Sequence, residues 1–180
     1  FYHTVMGLEI LDEDATSIVL GLKKNVLLKL HQHSAEEQGS SSEAGLYHFA
    51  VLFSSRGDLA RTIHRIVKKT PQFFSGTGDH LVSEAFYFND PEGNGIELYF
   101  DRDRTSWQWE QGQVKMASLF IDPKEYVEKY IVLEEQDTEV NMGHVHLKVG
   151  DIEKAKKFYV EILGFSITAE MPTALFISVG

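Results

Sequence analysis

One phrase occurs twice in the chain: FYHTVMGLEI from Phe1 and FYVEILGFSI from Phe158. Phe1, Tyr2, Gly7 and Ile10 return as Phe158, Tyr159, Gly164 and Ile167, while Val5, Met6 and Leu8 are matched by the apolar Ile162, Leu163 and Phe165. A duplicated module is implied. In the second copy, Ile152, Ala155, Phe158, Tyr159 and Ile162 fall three or four apart and predict an apolar helical stripe. Asp151 suits the cap that starts this helix, and Gly164 the left-handed position that ends it. A strand-like run at 142–149 precedes that helix, whereas nothing precedes Phe1, so the first module is expected to lack its opening strand.

The rest of the chain reads as the missing members of that unit. Segments 8–12, 16–22 and 26–30 predict three strands joined by the turns Glu13-Asp14-Ala15 and Lys23-Lys24-Asn25. The polar run 34–44 cannot bury surface and is expected to be a solvated linker. A strand at 46–53 follows, then a helix at 58–69 with Leu59, Ile63, Ile66 and Val67 on one face, stopped by Pro71. Strands are expected around 72–75, 83–89 and 96–101, the last entered through the turn Asp90-Pro91-Glu92-Gly93-Asn94-Gly95. A connector holds Trp107, Trp109 and a short helix with Asp122 as cap and Pro123 first. The expected organisation is module one at 1–33, a linker at 34–44 and a complete βαβββ module at 45–104. A connector at 105–141 and a truncated third module at 142–180 complete it.

Residues two apart on a strand share a face. Tyr47, Phe49, Val51 and Phe53 are therefore expected against the helices, as are Phe86, Phe88, Ile96, Leu98 and Phe100. His48, Tyr87, Glu97 and Tyr99 then point to the opposite face, with His80 beside them. An imidazole and a carboxylate on adjoining strands suit a divalent ion such as iron, manganese, zinc or nickel. A set of two histidines and one carboxylate needs one more histidine.

Composition narrows the partners. The formal net charge of −10 argues against a nucleic-acid backbone or an anionic membrane surface. Without cysteine, any metal must be held by His, Asp or Glu. No run approaches the length of a spanning helix and no leader is evident, so a cytoplasmic protein is expected.

GLYHFAVL, DPEGNGIELY and the twin FY…LG-type phrases, in this order of elements, resemble the glyoxalase, bleomycin-resistance and extradiol-dioxygenase superfamily, also called vicinal oxygen chelate. The likeness is greatest to its four-module bacterial catechol 2,3-dioxygenase-like members. The resemblance implies an α+β fold of repeated βαβββ modules, paired into a cup-shaped mixed sheet with helices outside. It implies homodimers and a small-molecule partner, an aromatic diol or similar vicinal-oxygen compound, together with dioxygen.

By that resemblance His48, Glu97 and His144 are the metal ligands, with Fe(II) first and Mn, Ni or Zn as alternatives. His80 and Tyr87 are the catalytic pair beside them, and Tyr99 lines the substrate cup. His31 or His33 would stand where an acid or base acts, and His146 shares the face of His144 but sits off the motif. His144 can complete the set only if the third module folds back or is exchanged between two chains. The implied activity is extradiol cleavage; a glyoxalase-type lyase or isomerase and a non-catalytic ligand-binding or resistance module are the alternatives.

Overall fold

The computed structural model describes residues 1–33, 39–40, 42–132 and 139–179, so most of the expected linker at 34–44 lies outside the described residues. A π-helical turn, Tyr2–Met6, opens the chain and ends at Gly7, whose φ of 82° is left-handed. Strands β1 (Glu9–Glu13), β2 (Ser17–Leu22) and β3 (Asn25–His31) then form an antiparallel sheet in that order. The Asp14 carboxylate holds the first turn by accepting the N–H groups of Thr16 and Ser17 at 2.7 and 2.8 Å. Lys23 and Lys24 both take positive φ, 49° and 72°, the geometry that matches a two-residue turn to the twist of its strands.

The next unit runs β4 (Gly45–Phe53), α1 (Arg56–Lys69), β5 (Phe74–Asp79), β6 (Ser83–Asn89) and β7 (Gly95–Asp101). Helix α1 starts earlier than its apolar spacing predicts because Ser55 caps it, accepting from the Asp58 N–H and donating to the Asp58 carboxylate. Strand β5 begins later than expected, since Pro71 first opens a 3-10 turn through Phe73, and it extends to Asp79 through Gly76 and Gly78, which disguise a strand. A small ribbon, β8 (Trp109–Glu110) and β9 (Gln113–Val114), occupies the connector before α2 (Pro123–Tyr130), whose first N–H groups bond to Asp122. Then come β10 (Val140–Lys148) and α3 (Ile152–Lys156), which widens into π-helical turns over Lys157–Ile162, and finally β11 (Ser166–Met171) and β12 (Ala174–Ser178).

A mixed five-stranded sheet organises these elements in the order β10-β4-β7-β6-β5, and only β4 and β7 run parallel. Parallel neighbours require a long crossover, which α1 and the β5–β6 hairpin supply. The architecture is the expected α+β one. Asn25 donates to the Val140 carbonyl at 2.7 Å and to the Asn141 side chain at 2.9 Å, so the three-stranded sheet meets the larger one at β10. The core fills the space between sheet and helices: Leu59, Ile63 and Ile66 of α1 against Phe49, Val51, Phe86, Phe88, Ile96 and Leu98, with Tyr2, Val5 and Met6 added by the opening turn. Each such side chain contributes roughly 1.5–3 kcal/mol.

One expectation about faces needs correction. Tyr47 is 54% exposed rather than packed under the helices. The β4–β10 register slips between His146 and Leu147, leaving Tyr47 as the extra residue of a bulge, which breaks the alternation there. The stripe on the second copy of the repeat is present but uncovered, with Phe158 47% and Ile162 66% exposed. No helix among the described residues is long and apolar enough to cross a membrane.

One buried polar group on the helix side went unread. Glu84 of β6 accepts two hydrogen bonds from Arg56 at 2.7 and 2.9 Å, one from Arg102 at 3.1 Å and one from the Tyr126 hydroxyl at 3.1 Å. Burial pushes its carboxyl upward, but the two guanidinium groups outweigh that and hold it below the usual 4.5. Glu84→Gln should therefore cost about 2–3 kcal/mol near neutral pH, because it takes the carboxylate partner from Arg56 and one of two from Arg102, which keeps Asp79. A depressed carboxyl stabilises the fold above its unfolded value and loses that contribution as pH falls through the folded one. The gap between wild type and variant in urea unfolding should accordingly be full above pH 4.5 and narrow below it.

Candidate metal centre

The parallel register pairs His48 with Gly95 and Ala50 with Glu97. On the other side of β4, antiparallel β10 pairs His144 with Ala50 after a bulge at Gly143. Glu97, Ala50 and His144 thus form a row across three neighbouring strands, with His48 two residues from Ala50 on the same face. Ala50 has only a methyl group, which lets the longer side chains on either side lean toward each other above it. Gly95 is equally constrained: a Cβ there would lie 2.2 Å from the Tyr47 carbonyl oxygen, so a larger residue would hold β7 away from β4.

Three ligand-type atoms converge as a result. His48 Nε2 stands 3.0 Å from Glu97 Oε2, His144 Nε2 stands 3.3 Å from the same oxygen, and the two Nε2 atoms are 3.4 Å apart. Ligands about 2.0–2.1 Å from an ion and 90–109° apart stand about 2.9–3.4 Å from one another, so the triangle has the dimensions of one face of a coordination sphere. Two imidazole nitrogens and a carboxylate oxygen suit a first-row divalent ion. His48 and Glu97 are buried while His144 is exposed, which leaves the triangle open on the β10 side. Burial pushes the Glu97 carboxyl upward, yet hydrogen bonds and charge from His144 and His48 overcome this and hold it at about 2. Glu97 is an anion at neutral pH.

Tyr87 stands opposite Glu97 in the β6–β7 register. Its hydroxyl lies 2.7 Å from His80 Nε2, and His80 Nδ1 lies 2.8 Å from the Ala117 carbonyl oxygen. A carbonyl only accepts, so Nδ1 carries the proton and, in the neutral ring, Nε2 accepts from Tyr87. Gly78 makes this possible, since a Cβ there would meet His80 Nε2 at 2.7 Å. Burial, then the charge and hydrogen bond of Glu97, push the Tyr87 phenol above its usual value. The hydroxyl stays protonated, between imidazole and carboxylate.

Tyr99 shares the face of Glu97 but is only 6% exposed. Its ring centroid lies 5.2 Å from that of His144, and its hydroxyl fills the space above Gly143, where a Cβ would approach to 2.0 Å. In this structure it backs His144. His146 and Tyr47 form a rim: their ring centroids are 4.8 Å apart, and His146 stands edge-on to His48 at 4.9 Å. Burial, then His48 and His144, push the His146 imidazole down. His31, paired with Ser17 at the end of β3, and His33 are exposed, and the converging group among the described residues is His48, Glu97 and His144. Ala50 and Gly143 escaped the sequence reading because they act by what they lack, and a single small residue among large ones in a strand carries no local signal.

Known proteins bear on this geometry. The profile of the Glyoxalase/Bleomycin resistance protein/Dioxygenase superfamily matches residues 1–98, and that of the bleomycin resistance protein-like N-terminal domain matches 142–180. A catechol-2,3-dioxygenase of Bacillus subtilis (strain 168) is 38% identical over 189 aligned positions, which cover 100% of this chain and 65% of that protein. The chain therefore spans less than two thirds of the length of this relative. Among solved structures, a glyoxalase/bleomycin resistance protein/dioxygenase from Alicyclobacillus acidocaldarius aligns with 59% of this chain and 82% of its own, at 20% identity and a TM-score of 0.46. The CppA protein of Streptococcus pneumoniae TIGR4 aligns with 79% of this chain and 53% of its own, at 18% identity and a TM-score of 0.45.

The row through Ala50 yields a direct expectation. Ala50→Leu should place a branched side chain between Glu97 and His144, lower stability by about 1–3 kcal/mol and separate the two groups. Ala50→Ser, nearly the same size, should leave the imidazole NMR signals of His48 and His144 close to wild type.

Proposed function

Because the chain belongs to the glyoxalase/bleomycin resistance protein/dioxygenase superfamily, we propose that it is a metal-dependent, extradiol-dioxygenase-like protein acting on an aromatic vicinal diol with dioxygen. The observation that carries this reading is the triangle of His48, Glu97 and His144, whose edges of 3.0, 3.3 and 3.4 Å match a shared ion. The name of the Bacillus relative, catechol-2,3-dioxygenase, supports the reaction class.

These three residues would hold Fe(II), with Mn, Ni or Zn as alternatives. When bound, the ion would bring the two adjacent diol oxygens and dioxygen into one coordination sphere. The chain's own residues do the rest. Glu97 supplies fixed negative charge and keeps the site selective for cations. Tyr87, held protonated and in this structure bonded to His80 Nε2, can turn its one O–H toward oxygen that gains negative charge, with His80 holding the phenol in place until then. Tyr99 keeps the His144 ring from swinging into the sheet, while Tyr47 and His146 offer aromatic edges to a planar ligand arriving from the open side. In modular terms, 45–104 is a complete βαβββ unit and 142–180 opens a third, which lends its first strand and a ligand to the second.

Loading with Fe(II) under anaerobic conditions, followed by catechol and oxygen, tests this. Wild type should bind about one ion per chain and give the yellow ring-opened product. His144→Ala and Glu97→Gln should weaken iron binding by about 100-fold or more, at or beyond the 10–100-fold typical of partners one shell further out. Unchanged iron occupancy in His144→Ala would remove that residue from the set, and iron binding without consumption of catechol would remove the reaction.

A further inference from the structure

The repeated FY phrase and the DPEGNG turn lie far apart in the chain but touch in the fold. Tyr2 donates from its hydroxyl to Asp90 Oδ2 at 2.8 Å, and both residues are buried. The remaining capacity of the Asp90 carboxylate organises the turn: it accepts the N–H groups of Glu92 and Asn94 at 2.9 and 2.8 Å and the Asn94 side-chain amide at 2.9 Å. Backbone bonds close the same turn, from the Asp90 N–H to the Asn94 carbonyl and from the Gly93 N–H to the Asp90 carbonyl. Gly95 follows at once, in register with His48, and Glu97 comes two residues later.

Tyr2 also leans on the other ligand strand. Its ring lies 6.2 Å from that of Phe49, the neighbour of His48. Helix α1 holds the π turn that carries it, through Arg65 donating to the Val5 carbonyl at 3.0 Å and Lys69 donating to the Thr4 carbonyl at 2.8 Å. One side chain thus contacts β4 beside His48 and, through Asp90, the turn that sets where β7 begins. We propose that Tyr2 is a positioning residue, which through Asp90 sets the separation of His48 from Glu97.

The inference extends the reading of these two residues as ligands, and only the cobalt measurement below depends on it. Tyr126 provides the comparison, since it makes a similar buried phenol-to-carboxylate bond, to Glu84, on the helix side. Tyr2→Phe and Tyr126→Phe should both lower the urea midpoint. In the metal-free protein, Tyr2→Phe should move the His48 imidazole NMR signals and Tyr126→Phe should not. Titration with Co(II) should show about a tenfold rise in Kd and altered visible absorption for Tyr2→Phe alone, the order expected for loss of one hydrogen bond to a charged group. Unmoved His48 signals in Tyr2→Phe, or equal movement in both variants, would overturn the proposal. If His48 moves while even wild type binds no Co(II), the positioning role stands and the ligand reading falls.

Discussion

The parallel contact between β4 and β7 is the constraint from which the rest follows. Two parallel neighbours cannot be joined by a tight turn, so the chain must leave the sheet and return. It does so through α1, which covers one face, and through the β5–β6 hairpin, which extends the sheet beyond β7. One face of β4, β6 and β7 is thereby committed to Phe49, Val51, Phe86, Phe88, Ile96 and Leu98, packed against Leu59, Ile63 and Ile66. With a side-chain period of two, the opposite face must carry His48, Ala50, Tyr87 and Glu97. The site is the reverse side of the core.

Two buried carboxylates show how differently these faces use charge. Glu84, on the helix side, is saturated by Arg56, Arg102 and Tyr126, donors whose protons are not given up near neutral pH. It can only be a structural tie, linking the start of α1, the end of β7 and α2. Glu97, on the open side, is held down by hydrogen bonds and charge from two imidazoles, side chains of the kind that ligate metal ions. The two carboxylates have the same chemistry, and the difference lies in the partners.

Much of the site could be read from residue order. The alternation in 46–53 and 96–101 placed His48 and Glu97 together, and Tyr87 followed from Phe86 and Phe88. Tyr47 defeated the same rule because a bulge is a property of two paired strands, and its partner, β10, lies nearly a hundred residues away in the chain. His80 was legible as a member of the face but not as a ring folded back on Tyr87, since that depends on a missing Cβ at Gly78 and on the Ala117 carbonyl in the connector. Glu84 was passed over because a lone glutamate in an apolar strand looks the same whether it meets water or two guanidinium groups.

From sequence alone came what local periodicity and turn chemistry dictate: the helix caps at Asp122 and Asp151, the faces of the strands apart from Tyr47, and the α+β class. Those properties depend on neighbours within a few residues, and such neighbours are written next to one another. Only the tertiary structure decided which strand lies beside β4 on its free edge. That β10 takes this place, bringing His144 over Ala50 to within 3.3 Å of Glu97, is a matter of long-range strand pairing. An edge strand offers the same unpaired N–H and C=O groups to any partner, so geometry and packing, not a local signal, make the choice.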